Sequence, residues 1–534
     1  MSHLGGTTMT RWNPRIEPTA REEQILKRLK RHRRLFSFLR RHRHELLDDG
    51  FQTELEAMYR DSGAGTEPTP PALLCLVVLL QAYVQASDAE AVELALMDAR
   101  WQMVLDCHGA EKPPFSQACL QQFRDRLIAH NMDQRLLEAT VELAKKTKEF
   151  GWKNLPKSLR IGVDSRPLSG AGRVEDTLNL LGHAARKIAE IASLLLELDF
   201  QTLCREAGIP VLLGSSIKAA LDVDWSDEQQ KSEALNELHR QIASLTAWVQ
   251  THLSGELTPL LKLLARVQNQ NLEERPDGKT QIRDGVARDR LVSIEDPEMR
   301  HGRKSKSKRF NGYKEHVAAD MDTNLIMACS VTPANMPEGN GAIQIREDLE
   351  QQCVAIRELN VDRGYITSVL VDYTAEHKGE VICKPWPIRS RTSGTFKKTD
   401  FHIDFRDKTI TCPGGETENL VAGTTVHFDP DACGSCPLRG QCTMSALGNG
   451  RSVQIAGDEK LQRDFRDTQK TKSGRARFRT RTPIEHRLAH IANRKGPRAR
   501  YRGARKNLFD LRRTAALQNL ETTQRAAEGL ARRA

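Results

Sequence analysis

A short apolar run, Ile161-Gly162-Val163, ends on a carboxylate, Asp164, and is then broken by Pro167, Gly170 and Gly172. No other stretch constrains the fold as much. It reads as a β-strand that stops with an acid near its end. The strand fixes the carboxylate and the loop leaves one side open, which suits a metal ligand. Most strand-end aspartates only cap turns, so Asp164 carries weight only if it has partners. One lies 198 residues on, in Asn360-Val361-Asp362-Arg363-Gly364-Tyr365. Both aspartates end a short apolar run, and both precede an arginine and a glycine-containing turn. Two strands of one sheet could bring these carboxylates together. They would then repel unless a cation lay between them, and hard ions such as Mg²⁺ fill that role.

A third acid stands almost alone in a basic region. Between Arg466 and Arg513 there are 17 Lys and Arg against three acids, Asp467, Glu485 and Asp510. Glu485 follows Thr482 by three residues and Pro483 by two, a pattern that also fits a capping box with proline in the first turn. Capping and metal binding both remain open readings. Two more basic runs occur, KRLKRHRRLFSFLRRHR from Lys27 to Arg43 and RHGRKSKSKR from Arg300 to Arg309. Any one of them reads most simply as solvated surface. Together, in a chain of net charge +11, they favour a polyanion partner, most simply nucleic acid.

Cys412, Cys433, Cys436 and Cys442 carry the spacing Cys-x₂-Cys-x₅-Cys with one more cysteine upstream, beside Gly and Pro. That is ligand spacing for a structural zinc ion. Four free thiols in a loop are the alternative. The other cysteines, such as Cys75, Cys107, Cys119 and Cys204, read as buried thiols of a reducing compartment. His316 reads as a packed or phosphate-facing histidine rather than a ligand.

The length of 534 residues allows two to four domains. No apolar run reaches the length of a bilayer crossing, and no apolar run follows the first residues as in a signal peptide. A cytoplasmic, nucleoid-associated protein without a membrane partner is expected. Residues 1 to 20 are polar and read as disordered. Glu22 to Leu47 suits an amphipathic helix broken near Arg33. Ala72 to Ala86 reads as an apolar helix, Ser87 with Glu90 as a capping box, and Ser116 as a cap. These short helices fit a helix-turn-helix reader of DNA. Leucines and isoleucines from Leu178 to Leu198 and from Leu235 to Val249 step by three and four, the mark of packed helices. Tyr313–Asp320 and Leu325–Thr332 flank an Asp322-Thr323-Asn324 turn and predict a hairpin. A helix over Ala342–Arg357 and a strand at Val381–Cys383 follow.

Taken together, VDSRPLSGAGRVEDT, GRKSKSKRFNGYKEHVAAD, DRGY and RTPIEHRLAHI with GPRARYRG resemble the DDE transposases of bacterial insertion sequences. The segment Phe115 to Leu127 is similar to their N-terminal domain. The resemblance spans about residues 70 to 520. It implies an α/β fold with an RNase H-like mixed-sheet catalytic core, a helical N-terminal domain and a helical insertion. The implied division is a basic, partly disordered arm over 1–66, a helical DNA-binding domain over 67–150, and a catalytic domain over 151–520. That catalytic domain would carry the helical insertion at 175–275 and a cysteine-rich insertion at 405–450, with a tail over 521–534.

The implied catalytic and metal-binding triad is Asp164, Asp362 and Glu485, holding Mg²⁺ or Mn²⁺ for two-metal phosphoryl transfer on DNA. Arg479, Arg481, Arg487, Lys495, Arg500 and Arg502 are the implied DNA contacts. The chain would act as a homo-oligomer on double-stranded DNA. Many relatives carry Tyr-x₂-Arg-x₃-Glu-x₆-Lys around the last acid; here those positions are Phe478, Arg481, Glu485 and Ala492. Two alternatives are a DNA-binding regulator derived from a transposase and an RNase H-like nuclease without strand transfer.

Overall fold

The computed structural model describes residues 11–29, 34–59, 68–146, 158–305, 307–388, 394–479 and 481–531. At its centre is a six-stranded mixed sheet. Its strands are β1 (Ser158–Ser169), β2 (Arg300–Arg303), β3 (Arg309–Asp320), β4 (Ile326–Pro333), β5 (Ala355–Asn360) and β6 (Glu380–Ile382). The order is β2-β3-β1-β5-β6, and β4 also pairs with β3. Strand β3 runs antiparallel to β1, β2 and β4, whereas β5 runs parallel to β1 and β6. The predicted hairpin is therefore β3–β4, with Asn324 in the left-handed region of its turn.

Strand β1 does not stop at Asp164, as the sequence suggested. It continues through Pro167 to Ser169. Its pairing with β5 ends at Gly162, while its pairing with β3 runs on to Ser169. Past Gly162 one edge of β1 has no strand beside it among the described residues, only an isolated bridge from Ser169 to Arg498. The Ser169 N–H turns to that edge and donates to the Pro497 carbonyl (2.9 Å). Pro167, two residues earlier, faces the same way, so its missing N–H breaks no ladder bond.

Five helices position this sheet: α1 (Pro71–Val84), α2 (Met132–Lys146), α3 (Gly341–Gln351), α4 (Thr482–Lys495) and α5 (Ala504–Ala531). Helix α3 ends earlier than its apolar spacing suggested, because Cys353 turns into the left-handed region and β5 begins two residues later. Helix α5 lies between the N-terminal helices and the sheet, touching α1, α2 and β4. Leu74, Leu76 and Trp101 share one apolar core with Val317 and Ile326 of the sheet and with Phe509 and Leu517 of α5. The helix runs through residue 521, so the expected tail begins inside it. No single helix among the described residues is long and apolar enough to cross a membrane.

The capping calls of the N-terminal region are met. Ser87 accepts from the Glu90 N–H (3.2 Å) and Glu90 accepts from the Ser87 N–H (2.7 Å). Ser116 accepts from the Cys119 N–H (3.1 Å). Disorder was expected up to residue 20, but Trp12 is buried and its backbone exchanges two hydrogen bonds with Gln52; residues 1–10 lie outside the described residues. The first basic run forms helices Ala20–Arg28 and Arg34–Leu46, and Arg33 lies outside the described residues. Two of its cations are structural. Arg40 pairs with buried Glu22 (3.0 Å), and Arg43 donates to the Met103 and Val104 carbonyls at a helix C-terminus.

Between β1 and β2 the chain folds into helices from Thr177–Leu195 to Thr258–Asn271 around their own apolar cluster. The Glu175 N–H bonded to the Val292 carbonyl (3.0 Å) closes the neck of this excursion. Residues 402–454 form two small antiparallel sheets and two short helices over a separate cluster of Phe401, Ile410, Phe428 and Ile455.

Lys495, expected at DNA, is instead buried. Its ammonium pairs with Glu315 (2.6 Å) and Asp510 (2.8 Å). Arg166 also pairs with Glu315, and Arg513 with Asp510. Burial acts to raise the Asp510 carboxyl, but Lys495 and Arg513 hold it far below the usual carboxylate range. The cluster joins β1, β3, α4 and α5. Removing one partner leaves buried charge uncompensated. Lys495→Ala is expected to cost about 3–5 kcal/mol, read as a lower urea midpoint, and an unchanged midpoint would show the cluster to be slack.

Candidate active site

The two aspartates meet across one side chain. Arg481 places one terminal nitrogen 3.0 Å from Asp164 Oδ2 and the other 2.8 Å from Asp362 Oδ1. Asp164 sits on β1 just past the point where β5 leaves it. Its own Oδ1 accepts from the Ser165 N–H (2.8 Å), a donor that faces the strand-free edge. Asp362 follows the end of β5 and precedes the 3₁₀ turn Arg363–Tyr365. The Asp164 side chain is 18% exposed and that of Asp362 is 54% exposed. Burial raises the Asp164 carboxyl above its ordinary range against the pull of Arg481; Asp362 and Glu338 add to the rise. Arg481, although burial opposes it, is raised by both aspartates and stays charged.

Glu485 lies one turn along α4 from Arg481 and is exposed. The capping box that the sequence offered for it does not form. Thr482 is the first helical residue rather than the cap, and its hydroxyl donates back to the Arg479 carbonyl (3.1 Å). Glu485, Arg481, Arg479 and Lys384 line a cleft of about 290 Å³ floored by Val361, Ile382 and Cys383. Burial pushes the Cys383 thiol up to about 12, so it is unreactive at neutral pH. Among the described residues no three His, Cys, Asp or Glu side chains are gathered tightly enough to hold an ion as they stand.

A polar chain that sequence reading missed backs the aspartates. Ser165 donates to Glu338 Oε1 (2.8 Å), just ahead of α3. Glu338 rests on Gly364, where a Cβ would lie 2.1 Å from Oε2. Tyr365 hydrogen-bonds His316 Nδ1 (2.6 Å), and His316 Nε2 meets Thr332 Oγ1 (2.9 Å). The His316 ring is wholly buried under Gly341, which has no room for a side chain. His316 is thus packed, as expected, but it also ties the turn after Asp362 to the β3–β4 hairpin.

The other expected DNA contacts scatter. Arg479 is exposed at the cleft. Arg487 is half-buried and donates to Thr522 (3.3 Å). Arg500 bonds Gln85, and Arg502 pairs with Glu295 (2.6 Å), both on the surface. In the third basic run Arg300 is buried against Asp289, while Arg303, Lys304, Lys308 and Arg309 are exposed around a hairpin tip. Cys412, Cys433, Cys436 and Cys442 all face one cavity of about 30 Å³. All four are free thiols.

Two known families match parts of the chain. The family described as Transposase DDE domain matches residues 411–523, which hold the four cysteines, Arg481 and Glu485. The family described as Transposase domain (DUF772) matches residues 24–126, the N-terminal helices. Asp164 and Asp362 fall outside both matches. No curated protein and no solved structure matches the chain.

Burial and the nearby Lys314 cation lower the His316 pKa from 6.5 to about 3. The unfolded chain takes up this proton near 6.5 and the folded chain only near 3. Between those values the unfolded state binds more protons, so stability falls as pH drops through the window, by roughly 1.4 kcal/mol per unit. His316→Gln is expected to flatten that part of the stability profile relative to wild type. Parallel profiles would mean that the ring titrates normally in the fold.

Proposed function

We infer that the chain is a DDE transposase of an insertion element, an enzyme that cuts DNA in a metal-dependent reaction and moves the element. We assign the chemistry to Asp164, Asp362 and Glu485. One observation carries this assignment: two aspartates 198 residues apart in sequence share one cation at the open edge of the central sheet. The cleft beside them is lined by the third acid.

The residues fit divalent ions. Oxygen donors on two adjacent backbone segments already hold one positive charge between them, and hard ions prefer such donors. Magnesium, with manganese as substitute, would be held by Asp164, Asp362 and Glu485. When bound, such an ion would supply activation of the attacking hydroxyl and neutralisation of the leaving oxygen. Ser165 and the turn after Asp362 keep the two carboxylates oriented. Arg479 and Lys384 line the approach and fit a phosphate backbone, whose contacts supply most of the affinity and make it salt-dependent. We further propose that the enzyme works as an oligomer on paired element ends.

The cysteine cavity fits a structural zinc ion, since four sulfur donors suffice for a closed tetrahedral site. Gly414 leaves room for the thiols to draw in; a Cβ there would lie 3.1 Å from Cys436 Sγ. Purified full-length protein is expected to carry about one zinc per chain by metal analysis. Cys436→Ser should lose it, and wild type free of zinc would leave four ordinary thiols.

Cleavage of a supercoiled plasmid carrying the element's ends tests the catalytic assignment. Wild type with Mg²⁺ is expected to cut at the ends. Asp164→Asn, Asp362→Asn and Glu485→Gln should each bind the ends and cut at least about 100-fold more slowly. Normal cutting by Glu485→Gln would move the third acid elsewhere, and binding without cutting by wild type would make the chain a regulator.

A further inference from the structure

We propose that Arg481 is the cation the aspartate pair holds while no DNA is bound, and that it cedes that place when a DNA phosphate takes its guanidinium. Metal loading and DNA binding would then be coupled through one side chain. This rests on the assignment of Asp164 and Asp362 as metal ligands.

The geometry is that of a plug. Both terminal nitrogens of one planar fork are spent on the two carboxylates, at 3.0 Å and 2.8 Å. A divalent ion held by these two carboxylates would carry the same sign of charge as the guanidinium and would need the same oxygen donors, so the two compete for one position.

The plug is also removable. The Asp362 side chain is more than half exposed, and exposed ion pairs are weak. Nε of Arg481 is buried and has no hydrogen-bond partner among the described residues, so the two carboxylates leave part of the guanidinium unused. Arg166 on the same strand as Asp164, by contrast, commits its Nε to Glu315. Arg481 stands at the start of α4, on the wall of the cleft that Arg479 and Lys384 also line. A phosphate drawn in by those cations meets a fork that fits phosphate oxygens as well as carboxylates. Whatever DNA gains by taking Arg481 it returns as tighter metal binding, because linkage is reciprocal.

The test is Mn²⁺ binding to the full chain, followed by electron paramagnetic resonance, with and without a duplex from the flanks of the element. Wild type is expected to bind Mn²⁺ about tenfold more tightly once the duplex is added. Arg481→Ala and the near-isosteric Arg481→Gln should bind Mn²⁺ at the tighter level without DNA, and the duplex should then add little. Their melting temperatures should be lower than that of wild type and rise further on adding Mn²⁺. Should both variants bind Mn²⁺ no more tightly than DNA-free wild type, the plug is disproved. If Asp164→Asn still abolishes plasmid cutting in that case, the transposase assignment survives the loss. Absence of Mn²⁺ binding and of cutting in wild type would overturn both.

Discussion

The two neighbours of β1 overlap only at Ile161 and Gly162: β5 pairs up to Gly162 and β3 from Ile161 onward. That offset decides the site. Before it, β1 is held by a parallel partner; after it, one edge is open and backbone donors must be met by other means. Ser165 N–H turns to Asp164, and Ser169 N–H turns to Pro497 in the segment after α4. The edge freed of one strand is thus filled by the Asp164 carboxylate and by the segment that follows α4. A full-length β5 would bury Asp164 in a ladder. A shorter overlap would release the turn that carries Asp362.

Charge buried behind this edge holds the third element of the site in place. Lys495 closes α4 between Glu315 of β3 and Asp510 of α5. Arg512, wholly buried, joins Asp133 of α2 to Asp348 of α3. Such pairs are costly to desolvate and worth little as net stabilisation, but each one broken is expensive. They therefore fix alignment more than they add stability. The helix bearing Arg481 and Glu485 cannot shift along the sheet without stranding an ammonium.

What could be read from the residues followed from local pattern. Asp164 and Asp362 stood out because a charge ending an apolar run is conspicuous, and the hairpin, caps and amphipathic helices showed themselves through periodicity. Burial of charge was invisible. Lys495, Arg40 and Arg43 sit in runs that look solvated, and only their partners, far away in sequence, explain them. The Thr482–Glu485 spacing suggested a cap because the pattern ignores where the helix begins; one residue of offset cancelled it. Glu338, Ser165 and the His316–Tyr365 pair form contacts across 49 to 173 residues, and no local rule reports such distances. The merging of N-terminal helices and sheet into one core was hidden for the same reason.

Helix α5 supplies Asn519, whose side chain both accepts from the Ile326 N–H and donates to the Ile326 carbonyl, closing the start of β4. It also fills the layer between α1 and the sheet. The helix follows every other element among the described residues. At synthesis rates of about 5–20 residues per second, the apolar α1 waits on the order of twenty seconds to a minute and a half for the partner that covers it. Completion of the core shared by the N-terminal helices and the sheet thus waits for α5. The order of translation, as well as the affinity of any ligand, limits how soon a newly made molecule can be active.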